Sequence, residues 1–218
     1  MALEILYDDE YYIAVNKPQH LLTHPYKAET NEKENLLFSL RDQINTYLYP
    51  IHRLDRQTSG IVLFGKKPES VSEIQELWST DLVRKFYKTL IHGDLQESGE
   101  FKFDLLSQKK VPQNAHTLYS PQENFNHCTY MQIEIKTGRR HQIRRHFSRR
   151  MQHVLGDRKY GKKRFNDFYL ESFGLERLFL HADRLVFQHP FTKASITIES
   201  QLPKDLQIVL DKLRSSTL

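Results

Sequence analysis

Residues 52–60 hold an acidic side chain among cations, directly before an apolar run. Asp55 lies between Arg53 and Arg56, and the apolar residues 61–65 follow. Guanidinium groups close to a carboxylate favour its ionised form. An ionised carboxylate at the rim of a sheet can act as a nucleophile or a general base. A surface turn in which the aspartate caps the chain and pairs loosely with arginine has the same pattern, so the segment alone leaves both interpretations open.

A second polar segment, from residue 136 onward, is rich in arginine and predicts a helix over residues 141–151. Ile143, Phe147 and Met151 recur at helical spacing and would form its apolar stripe. The helix would place cations along one side of the molecule and bury the stripe against a core.

The arginines of this helix face two directions. Arg145 and Arg149 lie far around the helix from Ile143, where they would face solvent or a phosphate backbone. Arg144 lies on the flank of the apolar stripe, where its guanidinium can turn inward towards a buried carboxylate. The alternative is that the Arg144 stem only packs past the core.

The charge of the chain is unevenly distributed. The 218 residues carry a net charge of +5. Residues 136–164 contain 12 Lys and Arg and the single acid Asp157, so this segment carries +11 and the rest of the chain −6. A basic segment on an acidic body indicates a surface for a polyanion, and nucleic acid is the obvious candidate. A solvated basic helix without a partner is the alternative.

Composition excludes several classes of protein. The hydrophobic fraction of 39%, the charged fraction of 27% and a mean hydropathy of −0.63 are typical of a soluble globular domain. No apolar run of about 18 residues exists, so we expect no transmembrane helix and no membrane partner. The acidic N-terminus argues against a secretory signal, and the single Cys128 can form no internal disulfide. A cytoplasmic protein is expected.

The apolar pattern predicts more strands than helices. Strands are predicted over residues 3–7, 11–16, 61–65, 86–92, 129–136, 178–187 and 194–199, the first two as a hairpin. Helices are predicted over residues 36–47, 70–80, 141–151 and 203–213, and a loop over residues 27–34. No repeat or linker divides the chain. We therefore expect one α+β domain with a large, mainly antiparallel mixed β-sheet flanked by helices.

Metal and nucleotide-cofactor chemistry find no support in the sequence. His141 and His146 are five residues apart and do not share a helix face, and no acid accompanies them. Neither a Walker A sequence nor a Gly-x-Gly-x-x-Gly loop occurs. The chemistry is therefore expected to use a carboxylate, arginines and aromatic hydroxyl groups, with no metal and no cofactor.

Several short motifs follow one another along the chain. They are Asn16-Lys17-Pro18, His52-Arg53-Leu54-Asp55 with Thr58-Ser59-Gly60, Lys85-Phe86-Tyr87, and the segments 137–144, 156–161, 180–182 and 189–191. In this order and spacing, the motifs resemble those of the RluA-type pseudouridine synthases, over residues 5–203. Within that family the chain is most similar to the TruC branch, because of residues 142–146 and 173–178.

The resemblance implies an isomerase that converts a uridine in RNA to pseudouridine, by base flipping and without a cofactor. Asp55 matches the essential aspartate of the family, and Tyr87 matches the tyrosine that packs on the uracil. Arg144 matches the basic residue that pairs with the aspartate. Arg53 matches an arginine that fills the gap left by the flipped nucleotide, and Ile143 matches the apolar residue that lines the pocket. Further substrate-binding residues are expected to be His52, Arg139, Arg140, Arg145 and Arg149.

The resemblance also carries expectations about the partner and the extent of the domain. A TruC-like enzyme acts on tRNA, and the alternatives are ribosomal RNA or an RNA-binding protein that has lost catalysis. We expect a monomer whose residues 1–218 form the catalytic domain, without a separate N-terminal RNA-binding domain. The sequence departs from the family's pattern at two places that bear on substrate binding. His20 stands where the family has glycine, and residues 93–127 form a shorter segment than in relatives.

Overall fold

The computed structural model describes residues 2–25 and 35–216. Among these residues the strands are β1 (Glu4–Asp8), β2 (Tyr12–Lys17), β3 (Tyr49–Pro50), β4 (Ser59–Gly65), β5 (Val83–His92), β6 (Gly99–Lys102), β7 (Leu105–Leu106), β8 (Pro112–Gln113), β9 (His116–Phe125), β10 (Cys128–Ile135), β11 (Leu180–Gln188) and β12 (Ser195–Glu199). The helices are α1 (Leu36–Ile44), α2 (Pro68–Leu77), α3 (Gln142–Arg149), α4 (Lys163–Phe173) and α5 (Lys204–Ser216). The loop expected over residues 27–34 lies outside the described residues.

The chain forms two compact units, and the first comprises Met1–Arg84 and Ala182–Ser200. The hairpin β1–β2 continues into β4 by antiparallel pairing, with Tyr12 opposite Gly65 and Lys17 opposite Gly60. Strand β11 follows β4 in the sheet and pairs with β12. The core of this unit is aliphatic and aromatic and consists of Tyr12, Ala14, Ile51, Ile61, Leu63, Ile74, Val83, Leu185, Phe187 and Ile198.

The second unit comprises Lys85–His181 and Gln201–Leu218. Strand β10 is central, because it pairs with β5 on one side and β9 on the other, and β9 pairs with β6. These pairings are antiparallel, as is the small ribbon β7–β8. Apolar side chains of the strands and of helices α4 and α5 form one core: Leu90, Phe125, Cys128, Tyr130, Leu155, Tyr169, Leu175, Phe179, Leu206, Val209, Leu210 and Leu213.

Most predicted elements are confirmed, with changed ends. Helix α1 is shorter than predicted because Asn45 adopts a left-handed conformation, with φ of 50°, that ends it. Helix α3 is also shorter than predicted and ends at Arg149. The prediction that Met151 belongs to its apolar stripe was wrong, because Met151 follows the helix with φ of 60° and is 67% exposed. Ile143 and Phe147 are buried as predicted.

Helix α4 and strands β6–β9 were not predicted. Phe165, Tyr169 and Phe173 recur at helical spacing in α4, and Gly174 ends the helix with φ of 76°. Strand β9 contains Pro121, which lacks a backbone donor, and its register with β10 shifts beside that residue. The expected α+β class, with mainly antiparallel strands flanked by helices, is confirmed. That residues 1–218 form a single catalytic domain stays a prediction.

Within the described residues, no helix is long and apolar enough to cross a membrane. The same part of the chain has no group of three or more His, Cys, Asp or Glu side chains that could hold a metal ion.

Candidate active site

Asp55 lies in a tight turn that leads into β4. The Thr58 N–H donates a 3.0 Å hydrogen bond to the carbonyl oxygen of Asp55, which closes the turn. Thr58 and Ser59 are buried, whereas the Asp55 side chain is half-buried. The turn is therefore anchored at its strand end, and Asp55 itself is partly exposed.

A threonine from another part of the chain holds the N-terminal side of this turn. The Leu54 N–H donates to Thr23 Oγ1 at 3.2 Å, and that hydroxyl lies 3.4 Å from the Leu54 carbonyl oxygen. Both residues are buried. The backbone of the residue before Asp55 is thus fixed by a side chain more than 30 residues away.

Lys17 connects the turn to the loop that follows β2. Its ammonium group is fully buried and donates to the carbonyl oxygens of Pro18 at 2.9 Å, Leu21 at 2.8 Å and Arg56 at 3.3 Å. Carbonyl groups gathered around a buried ammonium group compensate for the loss of hydration of its charge. Lys17 therefore ties two backbone segments together directly beside Asp55.

The loop after β2 is held a second time by Arg56, whose Nε donates to the carbonyl oxygen of His20 at 2.9 Å. His20 has φ of 67°, in the left-handed region. Glycine adopts this conformation without steric cost, and other residues adopt it with strain. The departure at position 20 thus leaves a histidine in a glycine-like backbone conformation.

Gly60 meets a stringent steric requirement at the start of β4. It has φ of 115°, and a Cβ atom placed on it would lie 2.2 Å from the carbonyl oxygen of Ala182 in β11. Only glycine fits there, so the close approach of these two strands fixes where the turn begins.

His52 and Arg53 precede the turn and differ in exposure. His52 Nε2 accepts a 3.0 Å hydrogen bond from the Leu63 N–H, and its ring packs on Trp78 with centroids 4.9 Å apart. The accepting nitrogen carries no proton, so β4 fixes the orientation of the ring. Arg53 is exposed, so its side chain is accessible to a large ligand.

Tyr87 and Ile143 are buried residues of the second unit. Tyr87 lies in the middle of β5 opposite Ile133 of β10 and is 8% exposed. Its carbonyl oxygen accepts a 3.1 Å hydrogen bond from the Gln132 side chain. Ile143 lies in the first turn of α3 and is 5% exposed.

Arg144 of α3 forms a buried ion pair that was not predicted. Its Nε donates to Asp157 Oδ2 at 2.7 Å and its Nη2 to Asp157 Oδ1 at 2.9 Å. Burial alone would raise the pKa of Asp157, but the guanidinium and the N–H groups of Tyr160 and Lys159 hold that pKa below its usual value. The Arg144 side chain is directed inward, as predicted, and it binds the carboxylate of Asp157. Asp157 is the single acid of the basic segment 136–164.

Gln142 organises the backbone that leads into α3. Its Oε1 accepts hydrogen bonds from Thr137 Oγ1 at 2.6 Å and the Arg139 N–H at 3.0 Å. Its amide nitrogen donates to the His116 carbonyl oxygen and to Thr117 Oγ1, both at 2.9 Å. The arginine-rich loop is therefore attached to β9 by one buried amide group.

The arginines expected to face solvent or phosphate also contact backbone. Arg145 donates to the carbonyl oxygen of Leu106 and Arg149 to that of Asp104, both at 2.9 Å. Arg139 donates to the Asn114 carbonyl oxygen at 2.8 Å. Arg140 and Arg149 are exposed, whereas Arg139 and Arg145 are half-buried. These cations link the segment around α3 to residues 104–114 and remain accessible at the surface.

The structure thus groups the predicted residues in two sets. His52, Arg53 and Asp55 lie together in the first unit, and the residues around α3 lie in the second unit with Tyr87. The expected approach of Asp55 to Tyr87 and Arg144 stays a prediction.

Comparison with known proteins decides the family. Residues 11–149 match the family described as RNA pseudouridylate synthase. This chain belongs to the RNA pseudouridylate synthase family. It is 34% identical to a tRNA pseudouridine synthase C of Vibrio vulnificus, with 96% of this chain and 95% of the relative covered. It is 36% identical to a protein of the same name from Haemophilus ducreyi, with 97% and 96% covered.

Solved structures of family members show the same fold. The human RNA pseudouridylate synthase domain containing 4 superposes with a TM-score of 0.78 at 24% identity, covering 97% of this chain and 93% of that chain. The human RNA pseudouridylate synthase domain containing 1 superposes with a TM-score of 0.74 at 21% identity, covering 93% and 84%. The expected RluA-type pseudouridine synthase fold is confirmed.

Proposed function

We propose that this protein is a tRNA pseudouridine synthase. The observation that carries the proposal is the similarity, over 96% and 97% of this chain, to the two relatives named tRNA pseudouridine synthase C. Coverage of 95% and 96% of those relatives means that the similarity is not confined to a shared catalytic core.

The reaction moves the bond between uracil and ribose from one base atom to another. The N1–C1′ bond breaks, the uracil turns in place, and a C5–C1′ bond forms. The hydrogen on C5 leaves as a proton, and N1 takes up a proton, so no oxidant, reductant or cofactor is needed. Asp55 acts on the flipped nucleotide as nucleophile or base. Its place in a turn held from both sides supports this role, because a reacting group has to be held in position.

The remaining site residues serve base flipping and binding. Extrusion of a stacked base costs a few kcal/mol and requires a group that fills the gap and a pocket that receives the base. The exposed Arg53 fills the gap, and Tyr87 and Ile143 form apolar walls of the pocket. Arg144 keeps Asp55 ionised. His52, Arg139, Arg140, Arg145 and Arg149 contact the RNA, the arginines through its phosphates. The enzyme acts as a monomer in the cytoplasm.

Tritium release tests the activity directly, because pseudouridine formation expels the hydrogen on C5. Transfer RNA transcribed with [5-³H]uridine should release tritium with the wild-type protein. Asp55→Asn should release no more than a protein-free control, whereas its RNA affinity should stay within about twofold because one neutral isostere replaces one carboxylate. Asp42→Asn, an exposed aspartate of α1, is the matched control and should retain full activity. Retained activity in Asp55→Asn would contradict the proposed role.

Mapping of pseudouridines distinguishes the possible substrates. Chemical or mass-spectrometric mapping in cells with and without the gene should show one tRNA position that depends on it. A tRNA pattern that is unchanged, with a missing ribosomal pseudouridine, would identify ribosomal RNA as the substrate instead. RNA binding without any tritium release would identify a non-catalytic RNA-binding protein.

A further inference from the structure

The ion pair between Arg144 and Asp157 is more restrained than a simple charge pair. Asp157 is 1% exposed and Arg144 is 6% exposed. Besides Arg144, Asp157 Oδ1 accepts the N–H groups of Lys159 at 2.8 Å and Tyr160 at 3.0 Å. The carboxylate is therefore fixed by its own loop, and it presents a rigid two-point acceptor to the guanidinium.

The pair also determines the direction of the guanidinium. Asp157 engages Nε and Nη2 of Arg144, which together form one edge of the planar group. The donors of Nη1 then point away from Asp157, because the guanidinium is rigid and planar. The Tyr160 ring lies under the group, with its centroid 5.1 Å from Cζ, and its hydroxyl lies 2.8 Å from His141 Nδ1. One edge and one face of Arg144 are thus held.

We infer that Asp157 is a positioning residue of the isomerisation: by holding the Nε–Nη2 edge of Arg144, it fixes the place and the orientation of the guanidinium group. This inference rests on the proposed function, in which Arg144 partners Asp55. Asp157 contacts neither base nor sugar in this role. It keeps a flexible side chain at one place and in one orientation, so that the guanidinium does not sample unproductive orientations during the reaction.

A second two-point arginine pair in the same unit allows positioning to be separated from stability. Arg177 and Asp205 use the same atoms, with Nε to Oδ2 at 2.5 Å and Nη2 to Oδ1 at 3.1 Å, and Arg177 is also buried. Neither residue has a role in the proposed site. Asp205→Asn is therefore the control for Asp157→Asn, because both substitutions weaken a two-point pair with a buried arginine, although the Asp205 side chain is 52% exposed and that of Asp157 only 1%.

The experiment compares turnover with RNA affinity. Single-turnover tritium release at saturating tRNA gives the rate of the chemical step, filter binding gives the dissociation constant, and thermal unfolding confirms that each variant is folded. Asp157→Asn should lower the rate about 10²-fold, since a displacement near 1 Å in a reacting group has that effect. Its dissociation constant should remain near the wild-type value. Asp205→Asn should retain the wild-type rate even where its melting temperature falls.

A second variant keeps the inference testable if Asp157→Asn does not fold. Asp157→Glu retains the charge but moves the carboxylate outward, so Arg144 remains paired in a shifted position, and the rate should fall at least tenfold. Wild-type rates in the folded variants, or an equal loss in Asp205→Asn, would overturn the inference alone. A wild-type protein that releases no tritium from any RNA would instead overturn the proposed function, and the inference with it.

Discussion

The ammonium group of Lys17 lies 3.3 Å from the carbonyl oxygen of Arg56, the residue that follows Asp55. The same ammonium group binds two carbonyl oxygens of the loop after β2, at Pro18 and Leu21. A side chain from the Asn-Lys-Pro motif thus holds the aspartate turn through its backbone, and so we expect it to affect catalysis without contact with the reacting atoms.

Lys17→Met should destabilise the protein by about 3 kcal/mol, because the substitution leaves buried carbonyl groups without a donor. Urea unfolding measures the change, and tritium release should fall in parallel as the turn loosens. Lys66→Met is the control: Lys66 is half-buried, donates to the Asp9 carbonyl oxygen and pairs with the half-exposed carboxylate of Asp8, so its replacement should cost about 1 kcal/mol or less. Equal destabilisation in the two variants would contradict the role assigned to Lys17.

Gly60→Ala should be severely destabilising, by about 3 kcal/mol or more, because the new Cβ atom would clash with the backbone of Ala182 and φ is 115°. Gly138→Ala provides the comparison, since a Cβ atom there meets no atom within 4 Å. That second variant should change the free energy of unfolding by about 0.5 kcal/mol or less. Tolerance of alanine at position 60 would show that the strands can separate without cost.

His20→Gly should stabilise the protein by about 1 kcal/mol, because glycine relieves the strain of φ at 67°. Asn45 also has a positive φ, of 50°, but asparagine adopts this region more readily because its short polar side chain can form local hydrogen bonds. Asn45→Gly should therefore bring little or no gain. Denaturant unfolding of the two variants checks the difference, and a decrease in stability in His20→Gly would show that the imidazole makes a compensating contact.

The buried His146 should make stability fall in mild acid. Burial lowers its pKa from the usual 6.5 to about 4, so the unfolded chain binds a proton between these values that the folded chain does not. The contribution of the neutral, buried imidazole to the free energy of unfolding is fully present above pH 6.5 and is lost as the pH falls towards 4. The total loss is on the order of 3 kcal/mol. His146→Phe should flatten the dependence of the unfolding free energy on pH in this window. An unchanged slope would contradict the assignment.

The arginines of α3 should contribute to RNA affinity through phosphates. Replacement of both Arg145 and Arg149 by glutamine should weaken tRNA binding. The slope of log affinity against log salt should decrease by about 1 for each phosphate that an arginine no longer neutralises. Lys204→Gln, an exposed cation of α5, should leave the slope unchanged. An unaltered slope in the double variant would show that the two arginines do not bind phosphate and serve only through their hydrogen bonds with Leu106 and Asp104.

Patterns that depend on neighbouring residues could be predicted from the sequence. The hairpin of β1 and β2, the strand after Gly60 and the helix that carries Ile143 and Phe147 all follow from local periodicity. The end of α3 could not be predicted in this way, because apolar spacing continues to Met151 while the backbone leaves the helix at residue 150. Aromatic residues at helical spacing before Gly174 did offer a signal for α4.

The support of the site could not be predicted, since it depends on contacts between distant residues. Nothing in the order of residues indicates that Lys17 reaches Arg56 or that Thr23 holds Leu54. For Asp157 a signal existed: a lone acid among 12 cations is expected to pair with one of them. Which arginine it binds depends on the path of the loop after α3.

The single thiol of the chain provides a natural reporter for this architecture. Cys128 is fully buried where β10 begins, between β5 and β9, and burial raises its pKa to about 11. A thiol-specific reagent can react only when these strands part, so the rate of labelling measures how often the second unit opens. Each variant described above can thus be assessed for opening of that unit without an engineered cysteine, and tRNA that binds there should slow the labelling.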